Sequence, residues 1–226
     1  MPTLDHIFPI VLVGGRSRRF GRDKLREPVM LADGREGWLV DVAIAALREV
    51  FGDRVVIVGD CDGQVAGRAD GRLPDEHPGL GPAGGVLTAL RARCRSSSSM
   101  AGDRDQRSAV EAPTVEDDGR WHGVFALSGD LARVRASTVR AVLDAVERTP
   151  DAWAVLAEAG GRIEPCIGLY RAPMLDVLAR RLEATPPLLS LHDAAPRERL
   201  ATAPIPPGEA VNINSPDDLA TLPPWT

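Results

Sequence analysis

The residues with the clearest chemical potential lie in one stretch near the start of the chain, Leu12-Val13-Gly14-Gly15-Arg16-Ser17-Arg18-Arg19-Phe20-Gly21-Arg22-Asp23-Lys24. Gly14 and Gly15 let a ligand come close to the backbone and present N–H groups to an anion. From position 16 to 26 there are six cationic side chains and one acid. The chain as a whole carries a net charge of −5, so this stretch is a local well for a polyanion such as a triphosphate. Lys24 is the one lysine, beside 26 arginines. A chain-wide preference for arginine accounts for that count without any function. The same count makes Lys24 a candidate for a place where a broad guanidinium would not serve and a compact ammonium on a slim stem would. The stretch contains neither the Walker pattern, which needs Gly-Lys followed by Ser or Thr, nor the dinucleotide pattern G-x-G-x-x-G.

The other reactive residue types are scattered. Cys61, Cys94 and Cys166, with His6, His77, His122 and His192, show neither a zinc spacing nor a disulfide framework. With 226 residues, 44% hydrophobic and 26% charged, the chain is globular in composition and of a size for one ordinary domain. No apolar run approaches the roughly 20 residues of a membrane helix. No basic region precedes an apolar stretch at the N-terminus. The expectation is a soluble cytoplasmic protein with no membrane partner. Its acidic balance gives no electrostatic reason to expect nucleic acid.

The elements that must position the first loop follow from periodicity. Residues 6–13 (HIFPIVLV) read as a buried strand and 54–58 (RVVIV) as a second, with a helix over 38–50 between them. A Gly/Pro loop at 79–85 leads into a helix marked by Ala83, Val86, Leu87 and Leu90. Residues 95–119 lack any apolar period and are expected to form a mobile surface insertion. Strands follow at 123–127, 153–156 and 166–170, with helices near 139–146 and 175–182. Ser215-Pro216-Asp217-Asp218 has the signature of a helix start. Strands alternating with helices predict one three-layer α/β/α domain over 1–226, Rossmann-like, with a mainly parallel sheet. A ligand then sits beyond the carboxyl ends of the strands, where the loops 14–24, 59–61, 75–85 and 128–134 lie.

The first loop resembles the signature L-A-G-G-x-S-x-R-[MF]-G-x-D-K of the MobA-like nucleotidyltransferases, with Val13 in place of the usual Ala. Within that family the likeness is greatest to the molybdenum cofactor guanylyltransferases. Four more segments occur in the family's order. Asp75 followed by residues 78–85 (PGLGPAGG) resembles its D…PGxGPLxG loop. Ser128-Gly129-Asp130 resembles the loop with the metal-binding aspartate. Residues 164–170 (EPCIGLY) resemble QPLxALY, and 212–219 (NINSPDDL) resemble NxNTPEDL.

The resemblance implies transfer of GMP from GTP to the phosphate of molybdopterin, the organic part of the molybdenum cofactor. Pyrophosphate is released and Mg2+ is used. It implies that Leu12, Val13, Gly14 and Gly15 contact the nucleotide, and that Lys24 binds its phosphates. Asp75 would contact the guanine nucleotide, Asp130 would hold Mg2+, and Asn214 would help it. The chemistry needs positioning and charge neutralisation rather than a strong base. The missing Ser/His/Asp constellation is therefore no objection.

One departure lies after Asp130, where the family reads D-x-P and this chain has Leu131-Ala132-Arg133. Ala132 loosens a turn that proline would stiffen, and Arg133 puts a cation within reach of the proposed metal; harmless drift in a solvated turn is the first expectation, and a changed acceptor or weakened catalysis the alternative. Other readings stay open: a molybdopterin cytidylyltransferase, a phospholactate or sugar-phosphate nucleotidyltransferase, or a nucleotide-binding protein without turnover. The sequence leaves open the oligomeric state and whether a molybdoenzyme or its chaperone docks on this chain.

Overall fold

In the computed structural model, which describes residues 4–14, 20–98, 123–222 and 225, the first strand β1 (Ile7–Leu12) lies at the centre of the sheet. Its alternation divides the core. Ile7 and Val11 face one hydrophobic cluster, while Phe8, Ile10 and Leu12 face the other. A strand buried on both faces needs a layer of helices on each side. Helices α1 (Leu39–Phe51) and α4 (Ala136–Arg148) cover the first face; α3 (Gly81–Ser98) and α5 (Met174–Glu183) cover the second.

The sheet has seven strands. Besides β1 they are β4 (Val56–Val58), β5 (Gly71–Leu73), β6 (Gly123–Ser128), β7 (Ala154–Ala159), β8 (Arg162–Tyr170) and β9 (Leu200–Ile205). Their order is β5-β4-β1-β6-β8-β7-β9. Every pairing is parallel except the two made by β8. The expected three-layer, mainly parallel α/β fold is therefore present. Among the described residues no helix is long and apolar enough to cross a membrane.

Several elements are too short for periodicity to reveal. Strands β2 (Pro28–Met30) and β3 (Glu36–Trp38) form a small antiparallel hairpin. Helix α2 (Gly63–Ala66) is one turn capped by Asp62, and α6 (Pro216–Ala220) begins at the foreseen Ser215. The expected insertion at 95–119 needs correction at its start. Helix α3 continues through Ser98, because a helix already docked by Val86, Leu87 and Leu90 extends at little cost per residue. The rest of that segment, from 99 on, lies outside the described residues.

Two glycines allow close approaches within and beside the sheet. Gly59, just after β4, has φ +129°, and a Cβ there would lie 1.9 Å from the Val13 carbonyl oxygen. Gly168 sits where β7 and β8 shift register, and a Cβ would lie 2.6 Å from Leu156 Cδ2. Gly59→Ala should cost about 3 kcal/mol, a fall in Tm on the order of 10 °C. Gly34→Ala is the control. Its φ of +82° is equally left-handed, but nothing lies within 4 Å, so it should cost only about 1–2 kcal/mol. Thermal unfolding of the two variants checks both figures.

Candidate active site

Lys24 is placed by its neighbours in sequence. Asp23 caps a single 3-10 turn, Lys24–Arg26, accepting the Leu25 N–H at 3.0 Å. Leu25 is buried, and it packs where a Cβ on Gly129 would come within 3.3 Å of its Cδ2. Gly129 thus lets the lysine turn settle directly against the loop after β6. The next residue, Glu27, is buried and takes both guanidinium arms of Arg22. That hydrogen-bonded pairing holds its carboxyl below the usual range against the opposing effect of burial. The Glu27 carbonyl accepts the first N–H of α1, from Leu39, at 2.9 Å.

The result is a close ion pair between distant parts of the chain. Lys24 Nζ donates to Asp130 Oδ2 at 2.5 Å and to the Ile213 carbonyl at 2.9 Å. Both side chains are largely shielded, at 15% and 17% exposure. The other carboxylate oxygen, Oδ1, accepts the Ser128 hydroxyl at 2.6 Å. The loop after Asp130 is laced to the segment before α6. Ile213 N–H donates to the Asp130 carbonyl at 2.9 Å, Leu131 bridges Asn212, and Ala132 N–H donates to the Val211 carbonyl at 2.9 Å. Asn214 follows at once and is exposed, its N–H donating to Asp218 Oδ2 at 2.7 Å. Lys24, Asp130 and the 212–214 segment are therefore brought together.

The remaining sequence candidates share the same edge. Leu12 ends β1, buried; Val13 N–H bonds the Val58 carbonyl; Gly14 takes φ +120°. Gly15 lies outside the described residues, as do Arg16, Arg18 and Arg19. Of the six cations in this stretch, Arg22 is paired with Glu27, and Arg26 with Asp62 while stacking on Trp38. Asp75 follows β5, three strand positions from β6, which is roughly 14 Å along the sheet edge. The turn after Asp130 is not the loose, solvated one expected. Ala132 is fully buried and hydrogen-bonded rather than loose. The Arg133 guanidinium lies over the Trp225 ring, 4.6 Å from its centroid, with Arg135 at 5.0 Å.

Sequence reading missed three features. Ser128 and Thr88 hold the two carboxylates, a role that is invisible without the fold. Residues 79–84 (GLGPAG) spell G-x-G-x-x-G, but they follow the edge strand β5 rather than β1. Gly79 and Gly81 take φ of +87° and +66°, and a Cβ on Gly85 would lie 2.7 Å from Leu12 Cδ2. This loop opens α3, whose first N–H groups have no partner within the helix. Gly84 and Gly85 let α3 pack closely, Gly84 against the His77 carbonyl and Gly85 against Leu12.

Among the described residues no three His, Cys, Asp or Glu side chains form a metal-holding group. The oxygen donors that the resemblance assigns to a metal are one carboxylate, Asp130, and one amide, Asn214. That set fits a hard cation which keeps most of its shell as water and phosphate oxygens, and it does not fit zinc.

A mainly parallel sheet between helices, with a Lys–Asp pair at the carboxyl ends of its strands, is the frame of an α/β enzyme. Residues 9–195 match the MobA-like NTP transferase domain, and the chain belongs to that family of nucleotidyltransferases. A molybdenum cofactor guanylyltransferase of Cereibacter sphaeroides is 28% identical over 95% of this chain and 94% of its own. A "probable molybdenum cofactor guanylyltransferase" of Chloroflexus aggregans is 27% identical over 97% and 94%. In structure, the chain is similar to molybdopterin-guanine dinucleotide biosynthesis protein A of Archaeoglobus fulgidus, with a TM-score of 0.60, 21% identity and 95% of each chain covered.

Cys166 on β8 lies close enough to Asp130 to feel its charge. Burial first, then Asp130 and Glu164, push its thiol up to about 12 from 9.0. It stays protonated at neutral pH and is no nucleophile. The unfolded thiol ionises near pH 9 while the folded one keeps its proton to about pH 12. The folded state therefore loses stability as pH rises through that window, by at most about 1.4 kcal/mol per unit. Cys166→Ser should remove that component, flattening stability against pH between 9 and 12 in urea titrations, relative to wild type.

Proposed function

We propose that this protein transfers GMP from GTP to the phosphate of molybdopterin, releasing pyrophosphate, with Mg2+ as its metal. The observation that carries the reading is the meeting of Lys24, Asp130 and the 212–214 segment just after β6, the strand beside β1. The names of the relatives support the choice of base and acceptor.

In this reading Lys24 leaves Asp130 for the triphosphate and neutralises charge as it builds on the departing pyrophosphate. Gly14 and Val13 bring backbone close to the nucleotide, and Asp75 meets the guanine edge, where N1–H and N2–H are donors that adenine lacks. Asp130 and Asn214 would hold Mg2+, which supplies charge neutralisation at the phosphates. Ser128 keeps one oxygen of Asp130 fixed so that the other faces the ligand. The attacking phosphate is already ionised at neutral pH and needs no base from the protein.

The test is to mix the protein with Mg2+, molybdopterin and each of the four NTPs, then measure pyrophosphate and the dinucleotide. GTP should be used in clear preference; preference for CTP makes the protein a cytidylyltransferase, and no turnover with any NTP makes it a binding protein.

Two variants probe the ion pair. Lys24→Arg should lower turnover about a hundredfold, because the wide guanidinium cannot sit between Asp130 and Ile213 and also reach the phosphates. Lys24→Met should fail at turnover too, yet bind Mn2+ alone more tightly than wild type, since the Asp130 carboxylate is no longer neutralised. Calorimetric titration with MnCl2 reads this directly, and Asp130→Asn should abolish the gain.

A further inference from the structure

Thr88 stands apart on α3. Its residue is 0% exposed, and the apolar neighbours Val86, Leu87, Ala89 and Leu90 are equally buried. A threonine inside a helix ordinarily returns its hydroxyl to the carbonyl one turn back. Thr88 instead spends it outside the helix. Oγ1 donates to Asp75 Oδ1 at 3.0 Å and accepts the Glu76 N–H at 3.1 Å. The His77 N–H donates to the same Oδ1 at 2.8 Å. Oδ1 therefore has both its lone pairs engaged, while among the described residues Oδ2 receives no hydrogen bond. Asp75 is partly exposed at the ligand edge of the sheet.

We infer that Thr88 is a positioning residue for base selection: it clamps one oxygen of Asp75 so that the other is presented to the N–H edge of a guanine. The inference rests on the assignment of Asp75 to the base. A carboxylate free to turn about its side-chain bonds would bind the same edge only after losing that freedom, and could swing away from adenine, whose N1 is itself an acceptor. A clamped carboxylate has lost the freedom already. Its second oxygen, buried against the base without a donor, is what makes a base lacking N1–H unfavourable.

The test is equilibrium binding of GTP and of ATP, each with Mg2+, to wild type, Thr88→Val, Thr88→Ser and Asp75→Asn. The readout is the ratio of the two dissociation constants. Thr88→Val keeps the shape of the side chain and removes the hydroxyl. It should lower the preference for GTP about tenfold, in the range for outer partners of a ligand-binding group. Thr88→Ser keeps the hydroxyl and should retain the preference. Simple damage to the loop would weaken both nucleotides together and leave the ratio unmoved, which overturns the proposal. A preference that collapses in Asp75→Asn and survives in Thr88→Val also overturns it, with the reading of Asp75 intact. An unchanged preference in Asp75→Asn refutes that reading itself, and the role of Thr88 with it.

Discussion

The pair between Lys24 and Asp130 is the contact on which the other features of the site depend. Two opposite charges withdrawn from water lose hydration, and their attraction offsets that loss only where further hydrogen bonds complete both groups. Here the Ser128 hydroxyl completes the carboxylate and the Ile213 carbonyl completes the ammonium. Neither partner is local: 106 residues separate Lys24 from Asp130, and 189 separate it from Ile213. The contact exists only when β1, β6 and the chain before α6 are all in place. The same partial shielding that makes the pair close also keeps both groups accessible from the ligand edge.

That demand explains details of the scaffold with no obvious tie to chemistry. The lysine can reach Asp130 only because the turn beneath it, through buried Leu25, rests on a residue without a side chain, Gly129. The turn is held from the other side by Glu27, whose carboxylate takes Arg22 and whose carbonyl starts α1. A buried carboxylate needs such a partner, so an arginine of the first loop serves structure. Gly59 and Gly85 do the same for the neighbouring loops, letting backbone and Leu12 approach where any Cβ would collide. Packing at the ends of the strands, rather than the loops' own preferences, sets where the polar groups point.

This division also marks how much could be read beforehand. The long strands and amphipathic helices were legible because burial on two faces or one stripe imprints a period on the residues. Strand β5, the β2–β3 hairpin and α2 were not. Three or four residues carry no period, and Gly71, Arg72 and Leu73 are each only partly buried. Lys24, Asp130 and Asp75 could be named from motif and residue type. Their supports could not. Ser128 and Thr88 are ordinary hydroxyls until the fold brings an aspartate against them. The count of cations in the first loop overstated the charge offered to a ligand, since Arg22 and Arg26 find carboxylates that lie outside the loop.

The turn after Asp130 shows one physical need met by two means. In the signature that this loop resembles, proline stands two positions after the aspartate, where its ring would stiffen the backbone and remove an N–H. This chain has Ala132, and the N–H that proline would lack donates to the Val211 carbonyl at 2.9 Å. Leu131 pairs with Asn212 in the same short antiparallel contact, and both Leu131 and Ala132 are buried. Rigidity then comes from a hydrogen-bonded partner strand instead of a ring. The exchange couples the aspartate's loop to the residues just before Asn214 more tightly than a ring could, because the new bond ends on that segment. Arg133 fits the same arrangement. Stacked on Trp225, whose indole N–H donates to the Met30 carbonyl at 2.6 Å, it ties the turn to β2 and so back to the chain that follows Lys24. The turn after Asp130 is thereby held through three contacts to elements that carry, or directly adjoin, the other groups of the site.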